Sequence, residues 1–158
     1  MLQYVYDRSE VIAPFVASMI PACRERGFGK CSTIGVVEGG MLIAGIVYHN
    51  WNPEAGVIEI SAAAVPGHYW LTRETLRQMY EYPFITCGCQ MVMNIVAADN
   101  EAHLFVLARF GYSLIRIPRL LGRDKDSVVC LLTIEDWRAN KFNKRLRQHA
   151  EPELSEAA

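Results

Sequence analysis

Two adjacent glycines divide two apolar runs and decide the first half of this chain. Cys31 to Glu38 is apolar and rich in β-branched residues, Gly39-Gly40 follows, and Met41 to Asn50 turns apolar again. A Gly-Gly pair supplies the positive-φ positions of a tight hairpin, so the two runs read as antiparallel strands. Asn52-Pro53-Glu54-Ala55-Gly56 is a second turn. Val57 to Val65 gives a third strand, apolar apart from Glu59 and Ser61. Three such strands in succession form a meander.

Around the meander the periodicity changes. Gln3 to Tyr6 reads as a short first strand, and Val11, Ile12, Phe15, Val16, Met19 and Ile20 then recur at helical spacing. Asp7 with Glu10 has the form of a capping box, with Pro14 in or near the first turn. Leu76, Met79, Tyr80 and Pro83 mark an amphipathic helix that starts near Thr72, its N-cap. Met91 to Ala97 is a strand. Asn100 caps a helix that Gly111 ends. Ser113 to Ile117 and Ser127 to Thr133 close the sheet around Gly122-Arg123-Asp124-Lys125, and Trp137 to Gln148 reads as a basic helix. The order β-α-β-β-β-α-β-α-β-β-α predicts an α/β fold: a mixed, mostly antiparallel sheet flanked by helices.

With 158 residues, 51 % of them hydrophobic and 21 % charged, the chain suits one domain over 1–148, with 149–158 as an acidic tail. No apolar run approaches the ~20 residues of a membrane span. The net charge of −1 argues against a nucleic-acid binder. Five cysteines, without a secretion signal, suit reduced thiols in the cytoplasm. Cys87-Gly88-Cys89 lacks the second ligand pair of a zinc site and reads as a turn, and no metal is expected. Arg138, Lys141, Lys144, Arg145 and Arg147 form a solvated face or a docking surface for an acidic partner or nucleic acid.

The order of elements is similar to that of the GNAT superfamily, the acyl-CoA-dependent N-acyltransferases. The most specific local match runs from Asn100-Glu101-Ala102 to Phe110-Gly111-Tyr112, where Gly-Tyr stands for the usual Gly-Phe. Tyr69-Trp70-Leu71-Thr72-Arg73 resembles small phage- or prophage-associated members. The resemblance implies acetyl-CoA, or another acyl-CoA, wedged between the strands Val57 to Val65 and Met91 to Ala97. Backbone groups of Ala62, Ala63 and Ala64 would pair with its pantetheine arm, and N–H groups from Ala63 to Val65 would face the oxyanion. Leu71, Thr72 and Arg73, at a helix N-terminus that favours anions, would hold the pyrophosphate, with His68 adding a donor. Asn100 would complete the cofactor contacts. The chain departs from the family in two places. Its turn has only Gly67 where the family carries spaced glycines, and Leu107 stands where many members have a tyrosine.

Acyl transfer to an amine needs a base, and Glu59 is the one carboxylate in an apolar strand. The same Glu59 also fits a solvent-facing or salt-bridged side chain. Tyr48, Trp51 and Tyr69 are candidates for the wall of the acceptor site, with Tyr69, Tyr112 or water as proton donor to the departing thiolate. His49 reads as a water-facing strand end, and His103 and His149 as surface residues. The expected function is N-acetylation of a small-molecule or protein amine. A non-catalytic GNAT-fold binding or assembly protein is the alternative, and a nucleic-acid-modifying enzyme a weaker one. An open edge on the closing strands would allow a homodimer.

Overall fold

Gly39 and Gly40 take φ of 57° and 80° and close the expected hairpin between β2 (Cys31–Glu38) and β3 (Met41–Asn52). The computed structural model describes residues 1–143, which form two compact units, Met1–Asn94 and a second that begins at Ile95. In the first unit, β1 (Leu2–Tyr6), β2, β3 and β4 (Val57–Ala64) pair antiparallel in that order. The first residues of β5 (Met91–Ala97) run parallel to β4. In the second unit the strand order is β5, β7 (Lys125–Thr133), β6 (Ser113–Gly122). Seven mostly antiparallel strands with flanking helices make the mixed α/β fold that the sequence predicts.

Helix α1 (Ser9–Met19) packs Ile12, Val16 and Ala17 onto β2 and β3. Two glycines let it approach closely. A Cβ on Gly45 would lie 2.5 Å from Val16 Cγ2, and one on Gly35 would lie 2.9 Å from Ile12 Cδ1. The expected capping box does not form. Asp7 takes φ 55°, which turns the chain out of β1, so the cap falls on Arg8 and no side chain supports it. Ser9 Oγ instead lies 3.2 Å from Thr33 Oγ1. Pro14 sits in the body of α1, beyond the expected first turn.

Helix α2 (Arg73–Glu81) begins as predicted, with Thr72 Oγ1 accepting from Thr75 N at 3.1 Å. It continues into a single π-turn, Tyr82–Thr86, closed by the Cys87 N–H donating to Tyr82 O at 2.9 Å. Pro83 explains the change. It has no N–H to give the Met79 carbonyl four residues back. That carbonyl accepts from the Tyr48 hydroxyl at 2.6 Å instead.

In the second unit, α3 (Glu101–Phe110) is capped by Asn100 and ends at Gly111, φ 115°. The strand β6 runs longer than the sequence suggests, through an irregularity at Arg119 (φ 64°) whose N–H donates to the Asp126 carboxylate at 3.0 Å. The last helix, α4 (Ile134–Ala139), starts earlier than predicted because Thr133 caps it, accepting from Asp136 N at 3.2 Å. Of the basic residues predicted on a longer helix, Arg138 and Lys141 are described. Lys144, Arg145, Arg147 and the tail 149–158 lie outside the described residues. No described helix is long and apolar enough to cross a membrane.

Replacing Gly45 with alanine drives a methyl group into the Val16 and Ile12 side chains. Overpacking of this kind destabilises by about 1–3 kcal/mol. Urea denaturation of Gly45→Ala is expected to show a lowered midpoint with an unchanged slope.

Candidate active site

The β3–β4 register sets His49 opposite Glu59 and Val47 opposite Ser61. Side chains two apart on a strand share a face, so all four point to the side that α1 covers through Val47. Glu59 is 8 % exposed and His49 7 %, so neither faces water. Glu59 Oε2 accepts from Asn50 Nδ2 at 2.8 Å, and its Oε1 lies 3.9 Å from His49 Nε2. That nitrogen is 3.0 Å from Ser61 Oγ. The Phe28 ring rests on the imidazole, centroids 4.8 Å apart.

Asn50 reaches the carboxylate from an unusual backbone position. Its φ is 49°, within an irregularity of the ladder between His49 and Asn52. Bulges of this sort re-aim side chains, and asparagine tolerates the left-handed region better than most residues. Burial holds the His49 imidazole below its ordinary value. The Glu59 carboxylate partly offsets this, and the Arg26 guanidinium adds to it. His49 is therefore neutral at neutral pH, and Glu59 is not consumed by an ion pair.

Beside this cluster, β4 has an open edge. Its ladder to β5 ends at Glu59 opposite Met93, while β4 itself continues to Ala64. Val65 N donates to Ile43 O at 2.8 Å. Backbone groups alternate in direction along a strand, so Ala63 and Val65 point toward β3, and Ala62 and Ala64 toward the open edge. Val65 and Ala63 are therefore not available as oxyanion donors, which corrects the expectation for those two residues. Asn94 follows the last β4–β5 pair directly, and its buried Oδ1 has no partner among the described residues.

The turn ahead of α2 has Gly67 at φ 89° and Thr72 as cap. Thr72 N donates to Trp70 O, whereas the N–H groups of Arg73 and Glu74 have no acceptor among the described residues. The Arg73 side chain is exposed and Leu71 half-buried. Glu74 would oppose an anion here, but Arg77 binds it at 2.5 and 2.9 Å and holds its carboxyl below the usual range. His68 is already paired, its Nδ1 3.1 Å from Glu38 Oε2.

The predicted acceptor wall separates. Tyr48 is 1 % exposed, with its hydroxyl committed to Met79, so it is a core residue and cannot line an open site. Trp51 and Tyr69 are 54 % and 79 % exposed. In the second unit Asn100 Oδ1 accepts from His103 N at 3.4 Å, and Leu107 and Tyr112 are buried. His49, expected to face water, is instead buried beside Glu59, and Phe28 and Asn94 carried no expectation from the sequence. The available signal was a polar residue inside an otherwise apolar strand, as at His49 in β3 and Asn94 in β5.

No protein-family model and no curated protein matches the chain. Solved structures do. A probable acetyltransferase aligns with a TM-score of 0.60 and 21 % identity, over 69 % of this chain and 65 % of that one, so the chain spans under two thirds of that protein. Mutant forms of the spermidine/spermine N-acetyltransferase SpeG from Vibrio cholerae align with a TM-score of 0.69 and 12 % identity, over 87 % of this chain and 97 % of theirs. A further SpeG mutant gives 0.70 at 12 %, over 87 % and 96 %. The chain thus has the fold of GNAT acetyltransferases.

A buried neutral imidazole makes stability depend on pH. An unfolded chain, with His49 near 6.5, takes up a proton that the folded chain refuses. The contribution is flat above that value and falls as pH drops from about 6.5 toward the lowered folded value. His103, also lowered by burial, acts in the same direction. The urea midpoint is expected to decline from pH 7 to pH 5, and less steeply in His49→Gln.

Proposed function

We propose that this chain is an acetyl-CoA-dependent N-acetyltransferase in which Glu59 is the general base. The observation that carries the reading is a buried carboxylate, oriented by Asn50, on the same strand as the open edge of β4. Acetyltransferases of the same fold support the reaction class.

Acyl-CoA supplies the activated carbonyl: the amine nitrogen bonds to the acyl carbon as the carbon–sulfur bond breaks, and the sulfur leaves as the thiol. The chain's own residues do the rest. The outward backbone groups of Ala62 and Ala64 hold the pantetheine arm as an added strand would. Asn94, whose Oδ1 has no partner among the described residues, would add an acceptor for that arm. The open N–H groups of Arg73 and Glu74, with the Arg73 guanidinium, bind the pyrophosphate at the positive end of α2. Glu59 Oε1 takes the proton that the amine sheds. Asn50 keeps Oε2 occupied, and neutral His49 avoids a competing positive charge. The exposed phenol of Tyr69, or water, returns a proton to the sulfur. Free cysteines at all five positions suit a reducing cytoplasm.

Glu59→Gln is expected to lower kcat by about 10²–10⁴, the usual contribution of a positioned base, while calorimetry shows acetyl-CoA binding unchanged. Arg73→Glu is expected to weaken that binding instead. Folded wild-type protein that binds no acetyl-CoA would overturn the assignment in favour of a non-catalytic binding protein.

A further inference from the structure

We propose that Tyr4 and Thr75 are positioning residues for the cofactor's pyrophosphate: their hydroxyls hold the backbone from Trp70 to Thr72 in the shape that presents the Arg73 and Glu74 N–H groups. The inference rests on the reading that those N–H groups bind the pyrophosphate.

Three hydroxyls and one carbonyl meet at the start of α2. Thr75 Oγ1 donates to Trp70 O at 2.6 Å. The Tyr4 hydroxyl, from β1, lies 2.8 Å from Thr75 Oγ1, and Thr72 Oγ1 lies 3.0 Å from it. Thr75 is fully buried. A threonine hydroxyl has one proton and two lone pairs. The Thr75 proton goes to Trp70 O, so Tyr4 and Thr72 both donate to Thr75 Oγ1. That oxygen is then saturated, with one bond given and two accepted. Thr72 Oγ1 keeps its lone pairs for Thr75 N at 3.1 Å.

Each of these bonds fixes part of the turn. Trp70 O accepts a second time, from Thr72 N at 2.9 Å, so the peptide plane after Trp70 is held from two sides. Leu76 N donates to Thr72 O at 2.9 Å. With Thr75 N and Leu76 N occupied, Arg73 and Glu74 supply the remaining N–H groups of the first turn. The sheet holds the turn as well. Trp70 packs with Leu2, Tyr4 and Ala64 on the buried cluster of Val36, Ile43 and Ala44. One apolar patch therefore carries the turn given to the pyrophosphate and Ala64, whose outward backbone is given to the pantetheine arm.

Gly67 is the single glycine from Val65 to Thr72 and lies ahead of Trp70. The shape beyond it is thus set by bonds to side chains. A turn ordered in advance loses little freedom when a ligand arrives, and affinity gains by that saving. A buried polar network with every member satisfied is rigid enough to order it.

The test is calorimetric titration with acetyl-CoA. Tyr4→Phe and Thr75→Val each remove one hydroxyl and are expected to weaken binding by about five- to tenfold, the scale of one hydrogen bond. Thr75→Ser keeps the hydroxyl and is expected to bind as the wild type does. Gly45→Ala, which destabilises the sheet at its contact with α1, is expected to do the same. Either hydroxyl-free variant binding like the wild type would overturn the proposal, as would an equal weakening in Thr75→Ser or Gly45→Ala. Circular dichroism checks that each variant is folded, and Tyr4→Phe decides the matter if Thr75→Val is not. If folded wild-type protein binds no acetyl-CoA, the acetyltransferase reading fails, and inorganic pyrophosphate becomes the probe, followed by NMR at the Arg73 and Glu74 amides. Shifts that saturate in the wild type and Thr75→Ser, but at higher concentration in Tyr4→Phe, support the proposal. No shift in the wild type, or the same titration in all three, overturns it.

Discussion

Helix α1 lies against the sheet where β2 and β3 have no side chains. At Gly35 and Gly45 the methyl groups of Ile12 and Val16 occupy the space that a Cβ would take. Much else in the first unit follows from that contact. It fixes the depth of the helix, and so the height at which the chain leaves it after Met19. From there the segment to Cys31 folds back over the end of β3 and brings Phe28 down on His49. His49 is thus covered from a segment that follows the helix these two glycines admit.

The opposite face of β3 is organised by another omission. Pro83 cannot bond to the Met79 carbonyl, and a buried carbonyl left alone is costly. The Tyr48 hydroxyl fills the gap. Neighbouring residues of one strand therefore serve different ends: Tyr48 ties the sheet to α2, and His49 joins the polar cluster on the other side. The irregularity that follows lets Asn50 reach Glu59, which regular alternation would have turned away.

Much of the fold was legible because its signals are local. The Gly39-Gly40 turn, the Thr72 and Asn100 caps and the Gly111 stop each depend on a few adjacent residues, and the structure contains all four. The site was less legible because its determinants are not local. Glu59 stood out as a carboxylate in an apolar strand, but the ring that covers its neighbour His49 comes from a loop far earlier in the chain. Tyr48 looked like a site residue because it is aromatic and polar-tipped, whereas a proline 35 positions later draws it into the core. The departure from regular β geometry at Asn50 has no sequence mark beyond the residue's own tolerance for positive φ. The failed capping box at Asp7 has the same origin, a backbone choice made to change direction.

The double duty of Asn50 gives the fold family a way to be sorted at identities of 12 to 21 %, where overall similarity no longer separates one chemistry from another. One residue both accepts the left-handed backbone and holds the carboxylate. Glycine could take over the first task and glutamine the second, but neither could do both. Positions 50 and 59 should therefore change together across diverging chains, as a linked pair. That pairing would be a recognisable mark of this arrangement even where little other sequence likeness survives.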